Sequence, residues 1–324
     1  MTGDATDPRH RPAHAARYAY LGPSGTFTEA ALLQVPGAAE AERLPASSVP
    51  AALSMVERGE VDAAMVPIEN SVEGGVTATL DAVSVAHRLH IVAESLVPIS
   101  FVLAAAAPMP LEGVRAVTTH THAWAQVRGW AEGHLDDVEF LPSSSTAAAA
   151  GEILRGETSA QAAVCSPLVA EQLGLHVLAE GIEDVSGAVT RFVLVSRPGP
   201  VPEMTGADKT TLMIPLPQDR AGALMELLEQ FSTRGVNLCR IESRPTGGGL
   251  GQYFFSIDLE GHVAESRVAE ALAGVHRSAP GIRFLGSYPR ADRRSQHVTD
   301  DVSDAAFAAA EQWIGGIVGG ASER

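Results

Sequence analysis

Cysteine is nearly absent from this chain: Cys165 and Cys239 are the only two in 324 residues. They stand far apart, and neither has a His or a second Cys at metal-ligand spacing. That argues against a disulfide framework or a thiolate metal site and fits a reduced, cytoplasmic protein. Positive charge is scarce as well. Lys and Arg number 23 against 39 Asp and Glu, a formal net charge of −16. Nucleic acid and anionic membrane surfaces, which call for clustered cations, are therefore excluded as partners, and any anionic ligand must be held by local positive groups. No apolar run is long enough to span a bilayer; residues 101–107 form one of the longest. Residues 1–17 are polar, Pro-containing and His-rich, without the apolar core of a signal peptide.

What remains is ordinary globular material, 45% hydrophobic and 19% charged, with length enough for two domains. From Tyr18 short apolar runs alternate with helical stretches: 18–21 then 27–34, and 63–66 then 77–86, followed by runs at 100–103, 114–117, 138–141 and 162–165. This rhythm predicts βαβ units on a parallel sheet, divided into two α/β lobes. A Pro- and Gly-rich stretch, 197–206, breaks the pattern and reads as a linker. Beyond it the order strand, helix, strand, strand, helix, strand over 210–288 predicts a ferredoxin-like βαββαβ unit, of a kind that pairs edge to edge. The expected division is a flexible segment 1–16, a body 17–197, a linker 198–208, a second domain 209–289 and a tail 290–324 with a helical middle.

Several segments have the residue types of a ligand site. In Gly22-Pro23-Ser24-Gly25-Thr26-Phe27-Thr28-Glu29, Thr26 and Glu29 have capping-box spacing. The turn is either a well-made strand-to-helix connection or an anion site with free N–H groups at a helix end. It lacks the Gly spacing and the Lys of a phosphate-binding Walker loop. In Pro67-Ile68-Glu69-Asn70-Ser71-Val72-Glu73-Gly74-Gly75, polar groups at a strand end meet paired glycines, more than a helix cap needs. Thr119 and Gln126 are seven apart and share a face if their segment is helical. His120 and His122 without a third ligand make a poor metal site, so no metal is expected. Ser145 heads a second uncharged helix start, as an N-cap or an anion site. Thr190 and Arg191 open an apolar run, where a hydroxyl could bond a leaving group and a guanidinium could fork onto a carboxylate. A strand-loving Thr beside a snorkelling Arg is the plain alternative.

Gly22-Pro23-Ser24-Gly25-Thr26-Phe27, Pro67-Ile68-Glu69-Asn70-Ser71 and Thr190-Arg191-Phe192, in this order and spacing, resemble the prephenate dehydratase family. Gly222-Ala223-Leu224 and Glu242-Ser243-Arg244-Pro245 resemble the phenylalanine-binding motifs of the ACT regulatory domain found with it. The resemblance implies a two-lobed catalytic domain like a type II periplasmic binding protein, with prephenate closed between the lobes, followed by an ACT domain. It implies Thr190 as the essential residue, with Asn70, Glu69, Gln126 and Thr119 also catalytic. Arg191, Ser24, Thr26, Ser71, Ser145 and Phe192 would bind substrate. Gly222, Ala223, Leu224, Asn237, Glu242, Ser243, Arg244 and Pro245 would bind L-phenylalanine as allosteric effector, in a homodimer or homotetramer joined through the ACT domains. No cofactor is implied, because aromatisation of the ring drives loss of water and carbon dioxide. Two positions depart from the family: Thr119 where Ser is usual and Ala188 where Asn is common. Arogenate dehydratase, or a non-catalytic amino-acid sensor, is the alternative.

Overall fold

The computed structural model describes residues 16–72, 74–86, 88–215, 220–245 and 253–319. The N-terminal segment expected at 1–16 lies almost wholly outside these. In chain order the elements are β1 (Arg17–Leu21), α1 (Phe27–Leu32), β2 (Glu42–Ala46), α2 (Val49–Glu57), β3 (Ala63–Asn70), β4 (Gly74–Gly75), α3 (Thr77–Val85), β5 (His90–Pro98) and β6 (Val102–Ala105). Then follow β7 (Ala116–Thr119), α4 (Thr121–His134), β8 (Glu139–Pro142), α5 (Thr146–Arg155), β9 (Ala162–Cys165), α6 (Pro167–Leu173), β10 (His176–Glu180) and β11 (Val189–Ser196). The last are β12 (Asp208–Pro215), α7 (Ala223–Ser232), β13 (Leu238–Pro245), β14 (Tyr253–Glu260), α8 (Ser266–Ser278), β15 (Arg283–Pro289) and α9 (Asp304–Val318).

The chain divides into two compact units, 1–65 with 101–184, and 66–100 with 185–324. The boundary expected near residue 197 falls inside the second of these units, which also holds β5 and β11. In the first unit β1 pairs in parallel with β2 and with the start of β3. Its second sheet has the order β10-β6-β9-β7-β8. There β7 runs parallel to β8 and β9, while β6 runs antiparallel to β9 and β10, so the sheet is mixed rather than parallel. The alanines of α5 allow close approach to this sheet: Ala147, Ala149, Ala150 and Ile153 pack with Val102, Ala104, Ala163 and Cys165. Burial pushes the Cys165 thiol up to about 12, so it is a core side chain and not a nucleophile.

In the second unit β11 runs antiparallel to β5 over eight residue pairs, Val189↔Pro98 to Ser196↔His90. The C-terminal sheet has the order β13-β14-β12-β15, all antiparallel, which is the βαββαβ arrangement. Alternation along its strands separates two faces. Leu212, Ile214, Ile257 and Leu259 meet Leu227, Phe231, Val268 and Val275 of α7 and α8 in an apolar core. Thr211, Arg240, Asp258 and Tyr288 are also buried, away from that core. Strand β15 lies along β5 closely enough that any Cβ on Gly286 would overlap the Ile91 carbonyl. The tail does form a helix, α9, with no buried residue. Among the described residues no helix is long and apolar enough to cross a membrane.

Candidate active site

Strand β3 ends in a tight hairpin with β4, pairing Glu69 with Gly75 and Asn70 with Gly74. The Asn70 carboxamide is oriented by its own turn: Oδ1 accepts the Val72 N–H at 2.8 Å, which aims Nδ2 the other way. Nδ2 donates to Thr190 Oγ1 at 2.9 Å. Ser71 fixes the approach of the two segments. Its N–H donates to the Val189 carbonyl, and its Oγ accepts the Val189 N–H, both at 2.9 Å. Thr190 is thus a buried hydroxyl at the head of a paired strand, with one lone pair engaged by an amide and its own hydrogen still to give.

Arg191 points elsewhere, because successive strand residues face opposite sides. The fork expected for a substrate carboxylate is taken by the protein's own groups. Nε donates to Glu94 at 2.6 Å, Nη2 to the Tyr288 hydroxyl at 2.8 Å, and Nη1 to Asp258 and, at 3.3 Å, to Glu69. Asp258 also accepts Arg240 Nε at 2.8 Å and the Thr211 hydroxyl at 2.7 Å. Tyr288 accepts from Arg191 and lies 2.6 Å from Thr211, so its proton goes to Thr211, whose own goes to Asp258. Glu94, with a fully buried side chain, further accepts from Lys209 at 3.0 Å and from the Ala291 N–H at 2.9 Å. Lys209 is the only lysine in the chain. Burial alone would raise the Asp258 carboxyl, but Arg191 and Arg240 hold it well below the usual carboxylate range. Burial keeps the Tyr288 phenol protonated.

Phe192 is 2% exposed, a buried side chain of β11. In the first unit, Thr26 caps α1 through the Glu29 N–H, as the spacing predicts. The free N–H groups expected there are partly occupied: the Glu29 carboxylate turns back onto the Gly25 N–H at 2.6 Å and the Ser24 hydroxyl at 2.8 Å. Gly25 has φ +83°, and a Cβ there would fall 2.6 Å from Val169 Cγ2, so only glycine fits. Ser145 caps α5 through the Ala148 N–H at 2.9 Å. Thr119 ends β7 rather than sharing a helix with Gln126. It is fully buried and its hydroxyl donates to the Val164 carbonyl at 2.8 Å. Gln126 lies half-buried in α4, and its carbonyl accepts the Asp184 N–H at 2.7 Å. His120 caps α4, accepting the His122 N–H at 3.3 Å. Among the described residues no group of three His, Cys, Asp or Glu could hold a metal ion.

In the C-terminal sheet, Gly222 caps α7 with φ +85°, and Ala223 and Leu224 begin that helix. Asn237 donates to Glu260 at 3.1 Å. Along β13, Arg240, Glu242 and Arg244 are buried or half-buried, while Ile241, Ser243 and Pro245 are exposed. Arg244 reaches Asp81 at 2.8 Å and Thr77 at 3.4 Å, both on α3. Glu242 accepts from Arg240 at 3.4 Å, and its carboxylate lies where a Cβ of Gly75 would be. Sequence reasoning missed Glu94, Lys209, Arg240, Asp258 and Tyr288. The available signal was a carboxylate in the middle of an apolar strand, in His90–Pro98 and again in Tyr253–Glu260.

The Asn70 amide holds the buried Thr190 hydroxyl on an α/β scaffold whose chain continues into a βαββαβ unit. Residues 18–200 match the family model described as prephenate dehydratase. A prephenate dehydratase of Amycolatopsis methanolica is 44% identical over 303 residues, 93% of this chain and 98% of that one. The crystal structure of prephenate dehydratase from Arthrobacter aurescens in complex with L-Phe superposes with a TM-score of 0.88 at 59% identity, covering 94% of this chain and 99% of that one. A structure described as GqqA, a novel type of quorum quenching acylase, has a TM-score of 0.76 at 30% identity, covering 86% and 100%. The chain belongs to the prephenate dehydratase family, and is a carbon–oxygen lyase of phenylalanine biosynthesis.

Proposed function

We propose that Thr190 and Asn70 form the centre that eliminates water from prephenate. In this reaction the bond to the ring carboxylate breaks, its electrons enter the ring, and the hydroxyl across the ring leaves, giving phenylpyruvate, carbon dioxide and water. Thr190 donates a hydrogen bond to the departing hydroxyl, which leaves as hydroxide and becomes water by taking a proton from solvent. Asn70 Nδ2, donating to Oγ1 at 2.9 Å, orients that hydroxyl, and this bond is the observation that carries the reading. A threonine hydroxyl is too weak an acid for full proton transfer, so the assistance is a hydrogen bond that strengthens as the C–O bond stretches. Ser71 holds the Thr190 segment against the Asn70 turn. Arg191, with its guanidinium committed to Glu94, Asp258 and Tyr288, serves the scaffold rather than the substrate. The roles of Glu69, Thr119, Gln126, Ser24, Thr26 and Ser145 rest on their match to the family motifs.

Residues 17–197 are assigned to a catalytic domain of the type II periplasmic-binding-protein kind and 209–289 to an ACT domain. We assign L-phenylalanine as its effector, in line with the L-Phe complex of the Arthrobacter aurescens relative, with assembly through this domain. The two free thiols fit a cytoplasmic location. The test is phenylpyruvate formation from prephenate by the full chain, in parallel with arogenate and with added phenylalanine. Turnover of prephenate that responds to phenylalanine supports both halves. A folded protein that binds phenylalanine and turns over neither substrate overturns the catalytic reading in favour of a sensor.

A further inference from the structure

The charged residues around Arg191 form more than a buried pair. Glu69 bonds Arg191 at 3.3 Å, Arg191 bonds Asp258, Asp258 bonds Arg240 at 2.8 Å, and Arg240 bonds Glu242 at 3.4 Å. Glu242 then rests against Gly75, the β4 partner of Glu69, which closes the series into a ring. All of it lies within the second unit. Two of its members are the chain neighbours of the proposed centre: Glu69 precedes Asn70, and Arg191 follows Thr190. The other three, Arg240, Glu242 and Asp258, come from β13 and β14 of the C-terminal sheet. Side-chain exposure is 6% at Arg191, 5% at Arg240 and zero at Asp258. Displacing Asp258 would leave Arg191 and Arg240 without their shared carboxylate away from water, whereas Glu69 and Glu242, 36% and 25% exposed, form the wetter ends of the series.

We propose that Asp258 and Arg240 are positioning residues for the Asn70–Thr190 pair, acting through Arg191 and Glu69, and that this ring of charges transmits the state of the C-terminal sheet to the centre. The proposal rests on the catalytic reading above. A shift of β13 or β14 would pull the Arg191 side of β11 and press the hairpin at Gly75, changing the Asn70 Nδ2 to Thr190 Oγ1 distance without any contact to substrate.

The test uses the full chain with Asp258→Asn and Arg240→Lys. The second keeps its charge over Asp258 and loses the fork to Ser256 and Glu242, so it stays folded if the first does not. Measurements are kcat and KM for prephenate, the ratio of rates with and without saturating phenylalanine, and the melting temperature. The expected result is a kcat lower by ~10-fold with KM changed less than about twofold, as misplacement of a reacting group demands, together with a phenylalanine ratio moved toward one. Parental kcat and parental phenylalanine ratio in folded Arg240→Lys would overturn the proposal. So would a kcat loss that only follows the unfolded fraction. Thr190→Ala is assayed alongside: if it keeps parental turnover, the catalytic reading itself falls, whereas its inactivity beside a normal Arg240→Lys sinks the positioning role alone.

Discussion

Replacing Thr190 by Val removes one oxygen and keeps the shape. In the folded protein the change deprives Asn70 Nδ2 of its acceptor. Asn70 is only half-buried, so the cost is that of one ordinary hydrogen bond, about 1 kcal/mol. Valine suits the paired strand β11, and the melting temperature should fall by no more than ~4 °C. Catalysis should suffer far more. Loss of one preorganised donor aimed at a developing charge costs roughly 3–4 kcal/mol, or about 10²–10³-fold in kcat. Initial rates of phenylpyruvate formation at saturating prephenate, with a thermal melt of the same sample, separate the two effects. A Thr190→Val protein that melts like the parent and retains more than about a tenth of its kcat would refute the hydrogen-bond assignment.

Asn70→Asp keeps the acceptor for the Val72 N–H but replaces the amide donor to Thr190. Steady-state kinetics should show kcat down by ~100-fold, and a kcat near the parent's would remove Asn70 from the centre. Arg191→Lys cannot reproduce the fork onto Glu94, Asp258 and Tyr288. It should lower stability by roughly 3 kcal/mol or more, while KM for prephenate moves less than about threefold. A large KM increase with an unchanged melt would return Arg191 to the substrate. Acid should destabilise the fold through Asp258 and Asp292. Arg240 and Arg191 hold Asp258 well below its unfolded value, and Arg290 holds Asp292 at about 2. A depressed carboxylate gives stability that is present above the unfolded value, about 4, and is lost as pH falls toward the folded one. Melting temperature should hold above pH 5 and fall steadily between about 4 and 2, less steeply in Asp258→Asn; equal slopes would contradict the assignment.

Local pattern read some elements closely. The strand Ala162–Cys165 ends where apolar residues give way to a capping serine, and the βαββαβ order follows from alternating periods of two and 3.6. Strand β5 was not visible, because Glu94 and Ser95 interrupt its apolar run; a buried carboxylate makes sense only with Arg191 and Lys209, far away in sequence, in place around it. The motif at Thr190 lies on β11, and the Arg191 guanidinium expected on a substrate carboxylate is bonded to Glu94, Asp258 and Tyr288. Period-two alternation already forbids neighbouring strand residues from sharing a pocket, and this signal was there to be used. Thr119 and Gln126 do not share a helix, because Thr119 is the last residue of β7 and α4 begins at Thr121. The sheets are mixed because β6 and β11 reverse direction, which a rhythm of runs does not encode.

The solitary lysine has a practical corollary. Lys209 sits inside β12, its side chain 12% exposed and held by Glu94, and the following residue, Thr210, is fully buried. A lysine-specific protease therefore has a single scissile bond in the whole polypeptide, hidden until β12 leaves its sheet. One cut, giving fragments 1–209 and 210–324, becomes a yes-or-no clock for the opening of the C-terminal sheet.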